Sequence, residues 1–248
     1  VRGFWPILKR ELVSLFVTPI AWLIMATFLF IEGLFFYFLV YGYSAATDVV
    51  VGMGPAEAFF GQSEFYYFPL VLICPVLTMR LFAEERRSGT IEALLTAPVT
   101  PTAVVLGKYF ATLVVYVTMW APTSLYMLIL SSYGEIDWRL VATGYAGTLL
   151  VGAAYLAVGT LASALTTSQL AASMGATVFI LAFFVMGYAA RSFDDGTTRT
   201  MLEHVAVSSL MNDFSRGLVD SRRLVFWTTF AAVPLYAAIR TVESWRWG

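Results

Sequence analysis

The stretch FAEERRSGTIEALLTAPVT, Phe82 to Thr100, lies between two long apolar runs and settles what kind of fold the chain can have. Glu84, Glu85, Arg86 and Arg87 stand consecutively, Glu92 follows, and Pro98 closes the segment. So polar a segment cannot enter hydrocarbon, and it is too short to fold alone. The runs on either side are long enough to cross a bilayer. The charged stretch is therefore a loop at one membrane face, and the rest of the chain follows from it.

Of 248 residues, 59% are apolar and only 12% charged, against about 25% charged in a soluble domain. A spanning helix needs about 20 mainly apolar residues. Six runs qualify: Pro19–Tyr43, Phe65–Leu81, Tyr109–Ser131, Leu140–Leu165, Gln169–Ala190 and Leu224–Ile239. With no internal repeat or Ser/Gly linker, the expected fold is a single all-α membrane domain. The last run is the shortest; its 16 residues reach roughly 24 Å, so Arg222, Arg223 or Arg240 would have to snorkel. Trp227, Trp245 and Trp247 suit interfacial belts. Pro75, Pro122 and Pro234 fall inside runs and predict kinks. Lys9 and Arg10 before the first run, and Ser44–Ala46 after it, imitate a signal peptide. The run is longer than a signal core, so it is expected to be retained.

Lys and Arg set the orientation. With the N-terminus inside, Arg2, Lys9, Arg10, Arg80, Arg86, Arg87, Lys108, Arg240 and Arg246 lie inside. Outside, the short loops contribute only Arg139 among acids such as Asp48, Glu57, Glu64, Glu135 and Asp137; the long loop Arg191–Arg223 holds five more bases. Both termini and the charged stretch are then cytoplasmic. Before the first run, Phe4, Leu8, Leu12 and Leu15/Phe16 recur at helical spacing and predict an amphipathic interfacial helix over residues 3–17. Thr18–Pro19 reads as a cap and first-position proline launching the span. In the long outer loop, Val207, Met211, Phe214 and Leu218 predict a short helix broken at Gly217. It either lies on the outer interface or dips back between spans.

Several function classes are excluded. A net charge of −1 gives no field for nucleic acid. One cysteine, Cys74, and one histidine, His204, supply neither a disulfide framework nor a multi-residue metal centre. No nucleotide loop is present: Gly107–Lys108 is followed by Tyr109, and Thr102 stands where the first glycine belongs. Gly52–Gly54 has no preceding strand. No paired catalytic acids or Ser–His set lie within the runs, so the chain is not expected to be an enzyme.

Within the opening stretch, Glu84 to Arg87 carry the second helix into water and Ser88–Gly89 break it. Thr90–Leu95 can form a turn or two of helix with Ile91, Leu94 and Leu95 on one face. Pro98 ends it, and Thr100–Pro101 caps the next helix. EERRSGTIEALLTAPVT resembles the cytoplasmic loop of type-2 ABC transporter permeases. The resemblance implies that Glu84, Glu85, Arg86 and Arg87 form the connecting stretch. It places Gly89, Thr90, Glu92, Leu94, Leu95 and Pro98 in a coupling helix, residues 90–97, that docks on a separate ATP-binding subunit. NDFSRGLVDSRRLVFW (Asn212–Trp227) and the tail ESWRW are similar to the permease of gliding-motility ABC systems, although Trp245 stands where that subgroup more often has a basic residue. The implied partners are an ABC ATP-binding subunit holding ATP and magnesium, a second permease copy or paralogue forming a dimer, the lipid bilayer and an outer-side accessory protein. The implied location is the bacterial inner membrane. The implied role is export, or the transmission of ATPase strokes to outer-side partners without transport.

Glu32 is the one acid well inside a run and a candidate intramembrane polar site, since a charge at that depth costs at least about 2.5 kcal/mol. The plainer reading is a protonated or hydrogen-bonded glutamate at a helix interface, or one that reaches outer water. His204 and Asp194–Asp195 read as solvated loop polars, and Cys74 as packing. Gly144, Thr148 and Gly152 repeat every four residues, as do Ala171 and Gly175; both sets suit close helix packing, within the bundle before any dimer seam.

Overall fold

Caps written in the sequence set where the helices begin. Thr100 Oγ1 accepts a hydrogen bond from the Ala103 amide, ahead of Pro101 in the first helical position. Asp137 accepts from the Arg139 amide at 2.8 Å, and Asp220 from the Arg222 amide at 2.9 Å. Each satisfies an amide that the first turn leaves without a partner.

The computed structural model of the protein describes residues 3–44, 54–61, 64–91, 98–190 and 196–245. Among them the regular elements are all helical. They are α1 (Phe4–Val17), α2 (Pro19–Ser44), α3 (Pro55–Gly61), α4 (Glu64–Thr78), α5 (Ala83–Ser88) and α6 (Pro101–Trp120), followed by α7 (Ser124–Tyr133), α8 (Trp138–Leu165), α9 (Gln169–Ala190), α10 (Thr197–Val205), α11 (Val207–Ser215) and α12 (Ser221–Ser244). Six stretches are long and apolar enough to cross a membrane: α2, Tyr66–Ser88, Pro101–Tyr133, α8, Gln169–Gly187 and α12. The chain is an all-α, multi-pass membrane protein, as its composition predicts.

Three local expectations need correction. The last span is 24 residues, not 16, and reaches roughly 36 Å, so no snorkelling arginine is required. Its polar start had hidden the Asp220 cap, and it runs through Pro234 as one helix. Thr18 does not cap α2; its hydroxyl donates to the Ser14 carbonyl at 2.6 Å, satisfying the end of α1 instead. Trp227 does not face outward as a belt residue would but is fully buried, its ring against Tyr155 and Phe230. Pro122 behaves as expected: α6 gives way to a 3-10 turn, Ala121–Thr123, before α7.

The hub is α8, which packs against α4, α6, α9, α11 and α12. Small residues let these neighbours in. A Cβ on Gly144 would strike the Phe60 ring, and one on Gly152 would fall inside the ring of Tyr116. Thr148 Oγ1 lies 3.3 Å from the Tyr66 hydroxyl. That stripe is spent inside the chain, whereas a Cβ on Gly175 would meet no other element within 4 Å among the described residues, and Ala171 is exposed.

At one end of the bundle, α11 buries Val207, Leu210, Met211 and Phe214 against α8 and α3. Leu218, expected on that face, lies beyond the break and is exposed; Gly217 takes the left-handed φ of 75° that ends the helix. The turn α3 was not foreseen. Its Ala56, Ala58, Phe59 and Phe60 are buried, and Glu57 pairs with Arg216 at 3.2 Å. At the other end a second, smaller core gathers Ile7, Leu81, Phe82, Val104, Val105, Ala164, Ala238 and Val242 beneath the charged segment.

Candidate functional site

The charged segment is bolted to the bundle through its backbone. In the last turn of α4 the Thr78 hydroxyl donates to the Cys74 carbonyl at 2.9 Å, and the chain then turns through Met79–Phe82. The turn leaves backbone groups without helical partners, and Ser163 of α8 serves three of them. Its hydroxyl oxygen accepts from the amides of Phe82 at 3.0 Å and Ala83 at 3.2 Å, while its proton goes to the Met79 carbonyl at 3.0 Å. One hydroxyl thereby uses its full capacity of one donor and two acceptors.

Three of the four charges of α5 then have their own partners. Glu84 accepts from Arg80 Nε at 2.7 Å, one turn earlier. Arg86 donates to the Ala164 carbonyl at 3.1 Å and lies 4.8 Å above the Trp245 ring, which in turn meets Phe82 edge-on. The departure from the resembled tail at Trp245 thus supplies an aromatic seat for Arg86. Arg87, Ser88, Gly89 and Thr90 are exposed. Gly89 has a φ of 73°, the left-handed value that lets the chain leave α5 at once. The hydroxyls of Ser88 and Thr90, 2.9 Å apart, close the end of the turn.

Glu85 joins three elements. Its Oε1 accepts from Lys108 Nζ of α6 at 2.9 Å and from Arg10 of α1 at 3.2 Å. Lys108 also donates to Glu11 Oε1 of α1 at 3.1 Å, and Glu11 bonds Arg10 at 2.7 Å. Lys108 is 1% exposed. Burial alone would push the Glu11 carboxyl up, but Lys108 and Arg10 outweigh it and hold the group below the usual carboxylate range. Helix α1 reaches this position because Gly107 admits it: a Cβ there would press on Ile7.

Of the expected site residues, Glu84, Glu85, Arg86, Gly89 and Thr90 converge here. Arg87 and Pro98 are exposed beside them. Glu92, Leu94 and Leu95, and with them most of the expected coupling helix, lie outside the described residues, as do Asp194 and Asp195. Arg10, Glu11, Lys108, Ser163 and Trp245 join the site although the sequence did not mark them as site residues. Lys108 carried a signal: a lysine two turns inside a spanning helix requires carboxylates to be brought to it.

Glu32 stands apart, in the interior of the bundle. It is fully buried, and neither carboxyl oxygen has a hydrogen-bond partner among the described residues. The hydroxyls of Tyr66, Tyr116, Tyr126 and Tyr145 are within electrostatic reach of it. Several are committed elsewhere: Tyr116 to the Thr148 carbonyl at 3.0 Å, Tyr126 to the Leu29 carbonyl at 3.3 Å. Among the described residues no group of His, Cys, Asp and Glu side chains could hold a metal.

Comparison with known families places residues 55–200 within one described as ABC-2 family transporter protein, a match covering more than half of the chain and including the charged segment. No curated protein matches the chain.

Proposed function

Because the chain belongs to the ABC-2 family of transporter proteins, we propose that it is the permease through which a separate ATP-binding subunit, holding ATP and magnesium, drives export. The observation that carries this reading is the double anchorage of α5. Ser163 and Ala164 fix it to α8, and Lys108 fixes it to α6 and α1, while Arg87 to Thr90 stay exposed. A push on the residues after Gly89 is passed to two spans and the interfacial helix, rather than absorbed by a loose loop. The segment and both termini are cytoplasmic in this reading, and a second permease copy completes the path by covering outward apolar faces such as Met174 and Val178 of α9.

The test is co-purification of the ATP-binding subunit with the unmodified chain and with Glu92→Arg and Leu94→Asp. Binding lost in both variants, while the permease keeps its size-exclusion profile, supports the reading; binding retained in both overturns it.

A second reading, suggested by the likeness to gliding-motility permeases, has the strokes passed to an outer-side partner without cargo. The packed platform of α3 and α11, tied by the Glu57–Arg216 pair, favours it as a rigid surface for such a partner. Vectorial movement of cargo in reconstituted vesicles would dismiss it.

A further inference from the structure

Two neighbouring charges of α5 face different parts of the bundle. Glu85 meets α1 and α6 through Arg10 and Lys108. Arg86 meets the ends of two other spans. Its Nη1 donates to the carbonyl of Ala164, in the last turn of α8, at 3.1 Å. Its Cζ lies 4.8 Å over the ring of Trp245, the residue that closes α12. The last carbonyls of a helix lack amide partners and carry the negative end of its dipole. A guanidinium set against both ends therefore ties α8 and α12 to α5 without a carboxylate.

Trp245 is fixed in turn. Phe82, just before α5, meets its ring edge-on at 6.0 Å, and Lys108 Nζ lies 5.4 Å over Phe82. Arg86, Trp245, Phe82 and Lys108 thus form a run of cation, ring, ring and cation, each cation within the roughly 6 Å at which a ring attracts it. Ala238 and Val242 of α12 add apolar contact with Phe82 and Ala164 in the smaller core. Among the described residues no hydrogen bond or ion pair joins α5 to α12, so Arg86 on Trp245 is their electrostatic link.

We propose that Trp245 is a positioning residue: it holds Arg86 between α8 and α12 and so carries the stroke of the ATP-binding subunit into the last span. The inference rests on the permease reading and adds α12 to the elements that α5 drives. The Glu85 side moves α1 and α6, and the Arg86 side moves α8 and α12 together. Without the ring, Arg86 is bonded to α8 alone. Only apolar packing then joins α5 to α12, and between helices in a bilayer such packing has no hydrophobic force behind it. Two tryptophans report the two sides. Trp227 lies roughly 27 Å along α12 from Trp245 and is buried against Tyr155 of α8, so it senses any slip of α12 along α8. Trp120, the last residue of α6, packs on Phe28 and senses the other side.

Fluorine NMR of the full chain, labelled with fluorotryptophan and saturated with its ATP-binding subunit in detergent, tests this. Resonances are assigned by changing one tryptophan at a time to phenylalanine. In the unmodified chain, adding ATP and magnesium is expected to shift both Trp227 and Trp120. Trp245→Leu should abolish the Trp227 shift and leave that of Trp120; Trp245→Phe, which keeps a ring under Arg86, should restore it. A Trp227 resonance that stays still in the unmodified chain overturns the inference, and that measurement needs no variant. So does a Trp227 shift unchanged by Trp245→Leu, or one lost alike with Trp245→Leu and Trp245→Phe, which marks Trp245 as packing alone. If the ATP-binding subunit does not bind the unmodified chain at all, size exclusion shows it before any spectrum, and the permease reading falls together with the inference.

Discussion

Lys108 Nζ and Glu85 Oε1 lie 2.9 Å apart, and Lys108 has almost no surface of its own. A lysine so placed cannot be solvated, and its charge is held by Glu85 and Glu11, which are themselves only 20% and 13% exposed. The pairing therefore does two things at once. It keeps a charge inside the bundle's rim, and it obliges α1, α5 and α6 to stay together.

Removing one member of such a set is worse than removing all of it. Lys108→Met leaves two mostly buried carboxylates with only the half-exposed Arg10 between them and is expected to cost about 3–5 kcal/mol. The triple change Lys108→Met, Glu11→Gln, Glu85→Gln should recover most of that loss. Thermal unfolding of the detergent-solubilised chain, followed by size exclusion, reads both. A single variant as stable as the parent would mean that the network holds nothing.

Ser163→Ala strips partners from the amides of Phe82 and Ala83 together, at about 1–3 kcal/mol for each donor left buried. The expected signature is local: faster hydrogen exchange over Met79–Ala83, with the centre of α8 unchanged. Unaltered exchange at Phe82 would remove Ser163 from the anchorage.

How much of this was legible in the sequence depended on the range of the interaction. The spans, the Thr100–Pro101 start and the apolar face of α11 are local patterns, and each can be read from neighbouring residues. The charges of α5 were legible as a cluster but not as individuals, because what separates Glu85 from Arg87 is a lysine 23 residues away and a serine 81 residues from Phe82. Turn α3 was missed for a related reason. Its four buried residues form no period long enough to stand out, and they are buried only because α8 and α11 cover them. Ser163 gave no signal at all, since nothing in its neighbours distinguishes a serine in the last turn of a spanning helix from one that merely bonds its own backbone.

Acid should act on Glu11 with a definite sign. Its carboxyl is held below the ordinary value of 4.5 in the folded chain, so its contribution is complete above that value and lost as pH falls through the lower folded one. The melting-temperature difference between the parent and Glu11→Gln should thus be constant from neutral pH down to about 5 and close below it. A difference that stays constant to strong acid would show that Lys108 and Arg10 do not stabilise the ionised form.

Glu32 offers the sharpest separation of stability from activity. A buried carboxyl without a hydrogen bond carries a penalty of about 1–3 kcal/mol on mutational scales. It sits among rings: Phe28, one turn before it, packs against Trp120 at 4.7 Å, and Tyr66 meets the same tryptophan at 4.9 Å. Glu32→Leu keeps the volume and removes the penalty, so its melting temperature is expected to rise. A fall would mean that the carboxyl is satisfied by a bound water or cation, and Glu32→Gln, which keeps hydrogen-bonding capacity, should then fall less. If stability rises while transport by the assembled complex is lost, the carboxyl is kept against its own cost because the working cycle uses it. If stability rises and transport persists, Glu32 is a tolerated defect of the core and the candidate intramembrane site is withdrawn.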